Sequence, residues 1–210
     1  MKTKFFSLKY IRSLFYNPTA RILWIMLGGA LMNLLYIATN AASAILYHSI
    51  WSATLTAYHL TLIIIRLLLV FTGRPRPSEE EGRRLCLRIG VLLLLLDLAS
   101  AAIMLYSVRQ ASYARYSGII LLGFLTFTVY SVTRSVVELR RHRESENHLY
   151  YAARNISLTT SLMSVFNLQY SVFSLLHADF LLSGRVIFLF GMAIFSINFL
   201  LSVRLMKRGK

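Results

Sequence analysis

Hydrophobic residues fall in six long blocks, at about 22–47, 52–71, 85–107, 116–137, 155–176 and 185–205, separated by short polar stretches. At 1.5 Å per residue, each block of about twenty residues is long enough to cross a ~30 Å hydrocarbon core as a helix. No proline falls inside a block, so the pattern marks no broken helix of the kind many secondary transporters use. Only His48-Ser49-Ile50-Trp51 separates the first two blocks, which must therefore form a helical hairpin. Tyr47 and Trp51 at that turn suit an interfacial aromatic belt. The expected fold is an all-α polytopic membrane protein, six transmembrane helices in three hairpins, forming one domain over residues 21–210. Ahead of it, residues 1–20 alternate Lys and Arg with Phe, Tyr and Leu. They predict a short interfacial amphipathic segment, broken by Asn17-Pro18-Thr19. The apolar run from Ile22 is too long for a signal peptide, although Ala41–Ala44 resembles a cleavage site.

Composition agrees with this class. Of 210 residues, 57% are hydrophobic and 15% charged, against about 45–50% and ~25% in a soluble domain. Mean hydropathy is +0.60. A net charge of +15 would usually point to nucleic acid, but here the basic residues sit at block ends and form no groove with interleaved aromatics. Lys and Arg number five up to Arg21, six over 66–88, five over 134–154 and four from Arg204, whereas the other side holds only Arg109, Arg115 and Arg185. The positive-inside rule then puts both termini in the cytoplasm, with anionic lipid as the expected partner there. One cysteine, Cys86, excludes an internal disulfide and any CxxC motif. The 72–84 stretch, with Glu79–Glu81, is expected to be a solvated loop, as is 138–150, whose His142 and His148 lack metal-ligand spacing. His177 and Asp179 supply two ligands without a third, so no metal or cofactor is expected.

The polar residues inside the blocks carry the candidate chemistry. Asp97 lies about twelve residues from the nearest basic flank, roughly 18 Å deep. An unanswered charge there costs at least about 2.5–3.5 kcal/mol. Counting in from Arg21, Arg84 and Arg154 reaches Asn33, Asp97 and Asn167, each followed by leucine and, three residues on, by a hydroxyl at Tyr36, Ser100 or Tyr170. This pattern reads either as a threefold hairpin repeat or as chance among regularly spaced flanking arginines; if the three helices face a common axis, their polar residues form one layer near the midplane. The even blocks add Tyr58, His59, Thr126, Thr128, Ser196 and Asn198. The layer reads either as a site that binds or conducts a small solute or ion, or as interhelical hydrogen-bond glue. Matched depth makes His59 the candidate proton partner of Asp97.

Arg66, Arg134 and Arg204 close the even blocks, either snorkelling to lipid headgroups or holding an anionic group between them. Arg134 and Glu138, four apart, should pair. Gly28-Gly29-Ala30 and the alanines at 38, 41, 42 and 44 suit close helix packing, against a neighbour in this chain, a second copy or a partner subunit. No HExxH, GxSxG, Walker A or GxGxxG is present, so nothing supports an enzyme.

In size and in its Ala-rich first helix, the chain resembles the S-components of energy-coupling-factor transporters. That likeness implies a membrane subunit as the alternative to a conducting role. The strings Asn33-Leu-Leu-Tyr36, Tyr47-His-Ser-Ile-Trp51, Tyr58 and Arg66-Leu-Leu-Leu resemble a family of short multi-span proteins of clostridial-type bacteria with no assigned activity. Arg84-Leu-Cys86, Tyr116-Ser-Gly118, Phe127-Thr-Val-Tyr130 and Leu168-Gln169 extend the likeness. It implies a bacterial inner-membrane protein, with Asn and Tyr in that family where this chain has Asp97 and His59.

Overall fold

The computed structural model describes residues 18–72, 79–109, 118–141, 148–176 and 180–209. These form six helices: α1 Pro18–Tyr47, α2 Ile50–Thr72, α3 Glu79–Arg109, α4 Gly118–Arg141, α5 His148–Leu175 and α6 Phe180–Arg208. All but α5 are long and apolar enough to cross a membrane, and the fold is that of a multi-span helical membrane protein. Residues 1–17 of the predicted interfacial segment, with Arg115, His142, His177 and Asp179, lie outside the described residues.

The helices are polar inward and apolar outward. Along α1 the buried positions Met26, Gly29, Asn33, Tyr36, Asn40 and Ser43 recur every three or four residues, one face of a helix. Leu27, Leu31, Leu34, Leu35, Ile45 and Leu46 cover the opposite face, exposed. Water would reject such a surface, whereas a bilayer accepts it. α5 has no outward face of this kind. From His148 to Ser174 no described side chain is exposed, and α5 touches each of the other five helices. Nine Ser, Thr and Asn side chains of α5 are buried. Their polarity keeps α5 out of the apolar set, and enclosure by its neighbours is what makes a helix of this composition tenable.

The tight first hairpin is present. His48, in the left-handed region at φ 49°, reverses the chain, and the Ser49 hydroxyl caps α2 by accepting the Ser52 N–H at 3.2 Å. α1 packs on α2 and α5 on α6, but α3 and α4 make no contact among the described residues. The second of the three expected hairpins is thus replaced by two other pairings: α3 lies along α6, and α4 along α5. Glycines bring α3 and α6 together. A Cβ at Gly90 would meet Met206 Cγ at 2.6 Å and Ser202 O at 3.0 Å, and one at Gly209 would meet Leu87 N at 2.6 Å. Hydropathy reports which segments are apolar and carries no information on which neighbours fit, so this pairing was invisible to it.

Helix ends also extend past the apolar blocks. Glu79–Glu81, expected in a loop, form the first turn of α3, where acidic side chains complement the helix dipole. Arg83 pairs with Glu79 at 3.1 Å and Arg84 with Glu80 at 2.6 Å. Trp51 is not a belt residue: it is buried, edge-on to Phe166 with ring centroids 5.4 Å apart. His148 is half-buried rather than exposed, with the Cys86 thiol donating to its carbonyl at 3.6 Å. Burial first, then the Arg208 and Arg83 charges, hold its imidazole below the ordinary range. Protonation as pH falls below that range therefore works against the fold.

His48 supplies a test. Glycine adopts positive φ without a Cβ penalty, so His48→Gly should raise stability by about 1 kcal/mol and His48→Val should lower it by a similar amount. Thermal unfolding in detergent reads both; equal melting temperatures would remove the strain assigned to this turn.

Candidate functional site

Hydroxyl groups join α4 to α5. Thr128, Ser131 and Ser135 lie on one face of α4 at spacings of three and four. Thr128 Oγ1 donates to the Ser164 carbonyl at 3.1 Å, Ser131 shares a hydrogen with the Ser164 hydroxyl at 2.8 Å, and Ser135 Oγ donates to the Ser157 carbonyl at 2.8 Å. One further turn along α5, Asn167 joins α1 and α2: its Oδ1 accepts from Trp51 Nε1 at 3.2 Å, and its Nδ2 donates to Tyr36 Oη. Tyr170 completes the group, its ring centroid 5.4 Å from that of Trp51. Asn167, Tyr36 and Tyr170 thus meet, in a network that satisfies the Asn167 amide on both sides.

The remaining layer residues do not join them. Asn33, Asp97 and Ser100 are buried as expected, but α5 occupies the centre and, among the described residues, α1 does not touch α3. No common axis exists on which Asn33, Asp97 and Asn167 could form one ring. Asp97 instead sits beside Asn198 of α6 and within electrostatic reach of Tyr58. Asp97 Oδ1, Tyr58 Oη and both polar atoms of Asn198 lack a partner in hydrogen-bond geometry. His59 does not bond Asp97, because both of its ring nitrogens are unpartnered. Its neighbours are aromatic: Tyr36 edge-on at 4.4 Å, Phe127 at 5.8 Å and Tyr58 at 5.5 Å between centroids. Matched depth on two helices does not set their rotation, and Tyr58 and His59, adjacent in sequence, face different neighbours. Thr126 and Ser196 also fall outside the interior: Thr126 is exposed and back-bonds Leu122 at 2.9 Å, and Ser196 is exposed.

The least expected arrangement surrounds Arg66. Its side chain is 3% exposed and about five residues inside the end of the apolar span, roughly 8 Å below that end. Nη2 donates to Thr160 Oγ1 at 3.2 Å, while Nε and Nη1 have no partner. Arg134 of α4 reaches the same place, its Nε on Glu138 Oε1 at 2.9 Å and its Nη1 on Tyr130 Oη at 3.1 Å. Gly29 makes the room: a Cβ there would collide with Arg66 Nη1 and lie 2.8 Å from Arg66 Cζ and 3.0 Å from Arg134 Nη1. The glycines of α1 therefore admit guanidinium groups rather than another helix. Two like-charged guanidinium groups that meet at one glycine repel each other. Among the described residues, Glu138 is the carboxylate set against them. Gly29, Met32, Asn33, Ser131, Ser135, Ser157 and Thr160 help to line a narrow recess here, of about 10 Å³, room for about one water-sized body.

Arg66 and Arg134 thus converge as one expected arrangement had it, whereas Arg204 is exposed on α6 and takes no part. Gly29, Ser157 and Thr160 were missed. Gly29 and Asn33 share a face at i and i+4, and that was the available signal. Among the described residues no group of three or more His, Cys, Asp or Glu could hold a metal ion. No protein-family model, curated protein or solved structure matches the chain, so the site is argued on its own geometry.

Two substitutions test this description. Glu138→Gln removes the carboxylate facing two guanidinium groups and should cost about 2–3 kcal/mol, less than for a fully buried pair because both partners keep some exposure. Trp51→Phe leaves Asn167 Oδ1 short of a donor and should cost about 1–3 kcal/mol. Both are read from detergent unfolding curves. An unchanged midpoint for either would show that the corresponding contact does not hold the fold.

Proposed function

We propose that this is a bacterial inner-membrane protein whose six helices all cross the bilayer, with both ends cytoplasmic, and that it binds or passes a small ion among its interior polar groups. Orientation rests on the distribution of Lys and Arg, and the bacterial membrane on the likeness of the first hairpin to clostridial-type proteins. The crossing of α5 rests on its 28-residue length and its enclosure by five apolar helices. The observation that carries the ionic role is the set of buried polar atoms without partners, on Asn33, Tyr58, His59, Arg66, Asp97 and Asn198. Buried polar groups are normally satisfied, because an unmade hydrogen bond costs about 1–3 kcal/mol. Such groups, drawn from four helices, favour occupancy by water or a small ion.

The hydrogen-bonded α4–α5 ladder and the bonded Asn167 support a second reading, that of a non-catalytic membrane subunit or scaffold in which these groups are glue, working with a second copy or a partner subunit.

Thiol accessibility separates the two. In a Cys86→Ser background, Asn33→Cys should react with a small water-soluble thiol reagent, while Leu34→Cys, on the exposed apolar face of α1, should not. Silence at both positions would mean a sealed interior and favour the subunit. Fluorescent-protein fusions at either end should both fluoresce in the cytoplasm; loss of the signal at one end would contradict six crossings.

A further inference from the structure

We infer that the recess between α1, α2, α4 and α5 is a binding site for a small monovalent anion of halide size. This deepens the ionic reading above and rests on it.

Unmet hydrogen-bonding capacity there is mostly that of donors. Arg66 Nε and Nη1 and Asn33 Nδ2 are buried without a partner, and these nitrogens can only donate. Ser157 Oγ, also buried and unpartnered, carries a hydroxyl hydrogen that turns to suit an acceptor. Three helices therefore bring unpartnered donors to the lining of one recess, and its guanidinium and amide nitrogens call for an acceptor.

Charge selects an anion over water. Arg66 cannot lose its proton, and the Arg134 charge is matched by Glu138 at 2.9 Å. One positive charge remains, buried in a low-dielectric span where a net charge is costly. A single negative charge cancels it; water does not, and a dianion would overshoot.

Size narrows the class further. At about 10 Å³ the recess matches a compact monatomic anion better than a polyatomic phosphate group. Gly29 is the residue that leaves this volume free, since any Cβ there enters the space of the Arg66 guanidinium.

The test is thermal unfolding of the purified protein in detergent, with sodium chloride or bromide replacing sodium gluconate at constant ionic strength. The melting temperature should rise and saturate with chloride and with bromide, as binding to the folded state alone requires. Asn33→Ala removes one neutral donor and should weaken the apparent Kd about tenfold. Gly29→Ala should abolish the shift. Arg204→Gln, which alters an exposed arginine, should leave the shift intact, separating the site from general screening of a basic protein. If Gly29→Ala fails to fold, Asn33→Ala and Arg204→Gln still decide. Equal melting temperatures in chloride and gluconate would overturn the proposal and leave water in the recess. A response to inorganic phosphate or to phosphatidylglycerol micelles, but not to halide, would overturn it in favour of a phosphate ligand. Thiol labelling at Asn33→Cys reports hydration and the halide shift reports the ligand, so the general and the specific reading can fail separately.

Discussion

A helix that buries nine hydroxyl and amide side chains cannot be presented to lipid, and the rest of the structure is arranged around that constraint. α5 is the helix concerned, and the other five enclose it. Their outer faces carry leucine, isoleucine, valine and phenylalanine, while their inner faces supply the partners that α5 requires. Some of its hydroxyls fold back on their own helix, as when Thr160 donates to the Ile156 carbonyl at 2.7 Å and Ser171 to that of Asn167 at 2.7 Å. Others reach across to α4, and Asn167 ties in α1 and α2. Each interhelical bond contributes only about 0.6–2 kcal/mol. Together they fix the rotation and depth of α5 more closely than apolar packing alone would.

Arg66 is where this logic stops being self-contained. Thr160 meets one of its nitrogens, and the shared carboxylate of the neighbourhood is bonded to Arg134. A chain that merely needed to fill space here would place leucine, as it does at Leu62 and Leu69 on the same helix. Instead α1 carries glycine opposite the guanidinium, leaving a gap bordered by donors. Asp97, Tyr58 and Asn198 form a second set of unpartnered groups on the α3–α6 side. His59 stands within electrostatic reach of Arg66 and packs on Tyr36, Phe127 and Tyr58.

Much of the fold was legible. Block lengths gave the helices, and the spacing around His48 gave the first hairpin. Inward placement of Asn33, Asp97 and Asn167 followed from their polarity in apolar segments. The pairing of α3 with α6 was not legible, because it depends on how closely Gly90 and Gly209 let two backbones approach. Trp51 looked like a belt residue because tryptophan at a helix start usually is one, and only its bond to Asn167, far along the chain, shows otherwise. The supposed ring of three polar residues failed for a related reason. Spacing along a helix fixes depth, whereas meeting a partner also requires the right rotation, which tertiary packing decides. Within the site, the arginines were visible from sequence, but the glycine, serine and threonine that complete it were ordinary in their local context.

The central position of α5 underlies both the network and the recess, and lipid accessibility tests it most directly. A carbene-generating photolabel dissolved in the bilayer, with modified residues mapped by mass spectrometry on the unmodified protein, reports which helices meet acyl chains. Labelling should be heavy on the outward residues of α1, α2, α3, α4 and α6, Leu34, Leu60, Leu95, Leu122 and Leu200 among them, and sparse from Ser157 to Ser174. Labelling of α5 as strong as that of α1 would contradict the account.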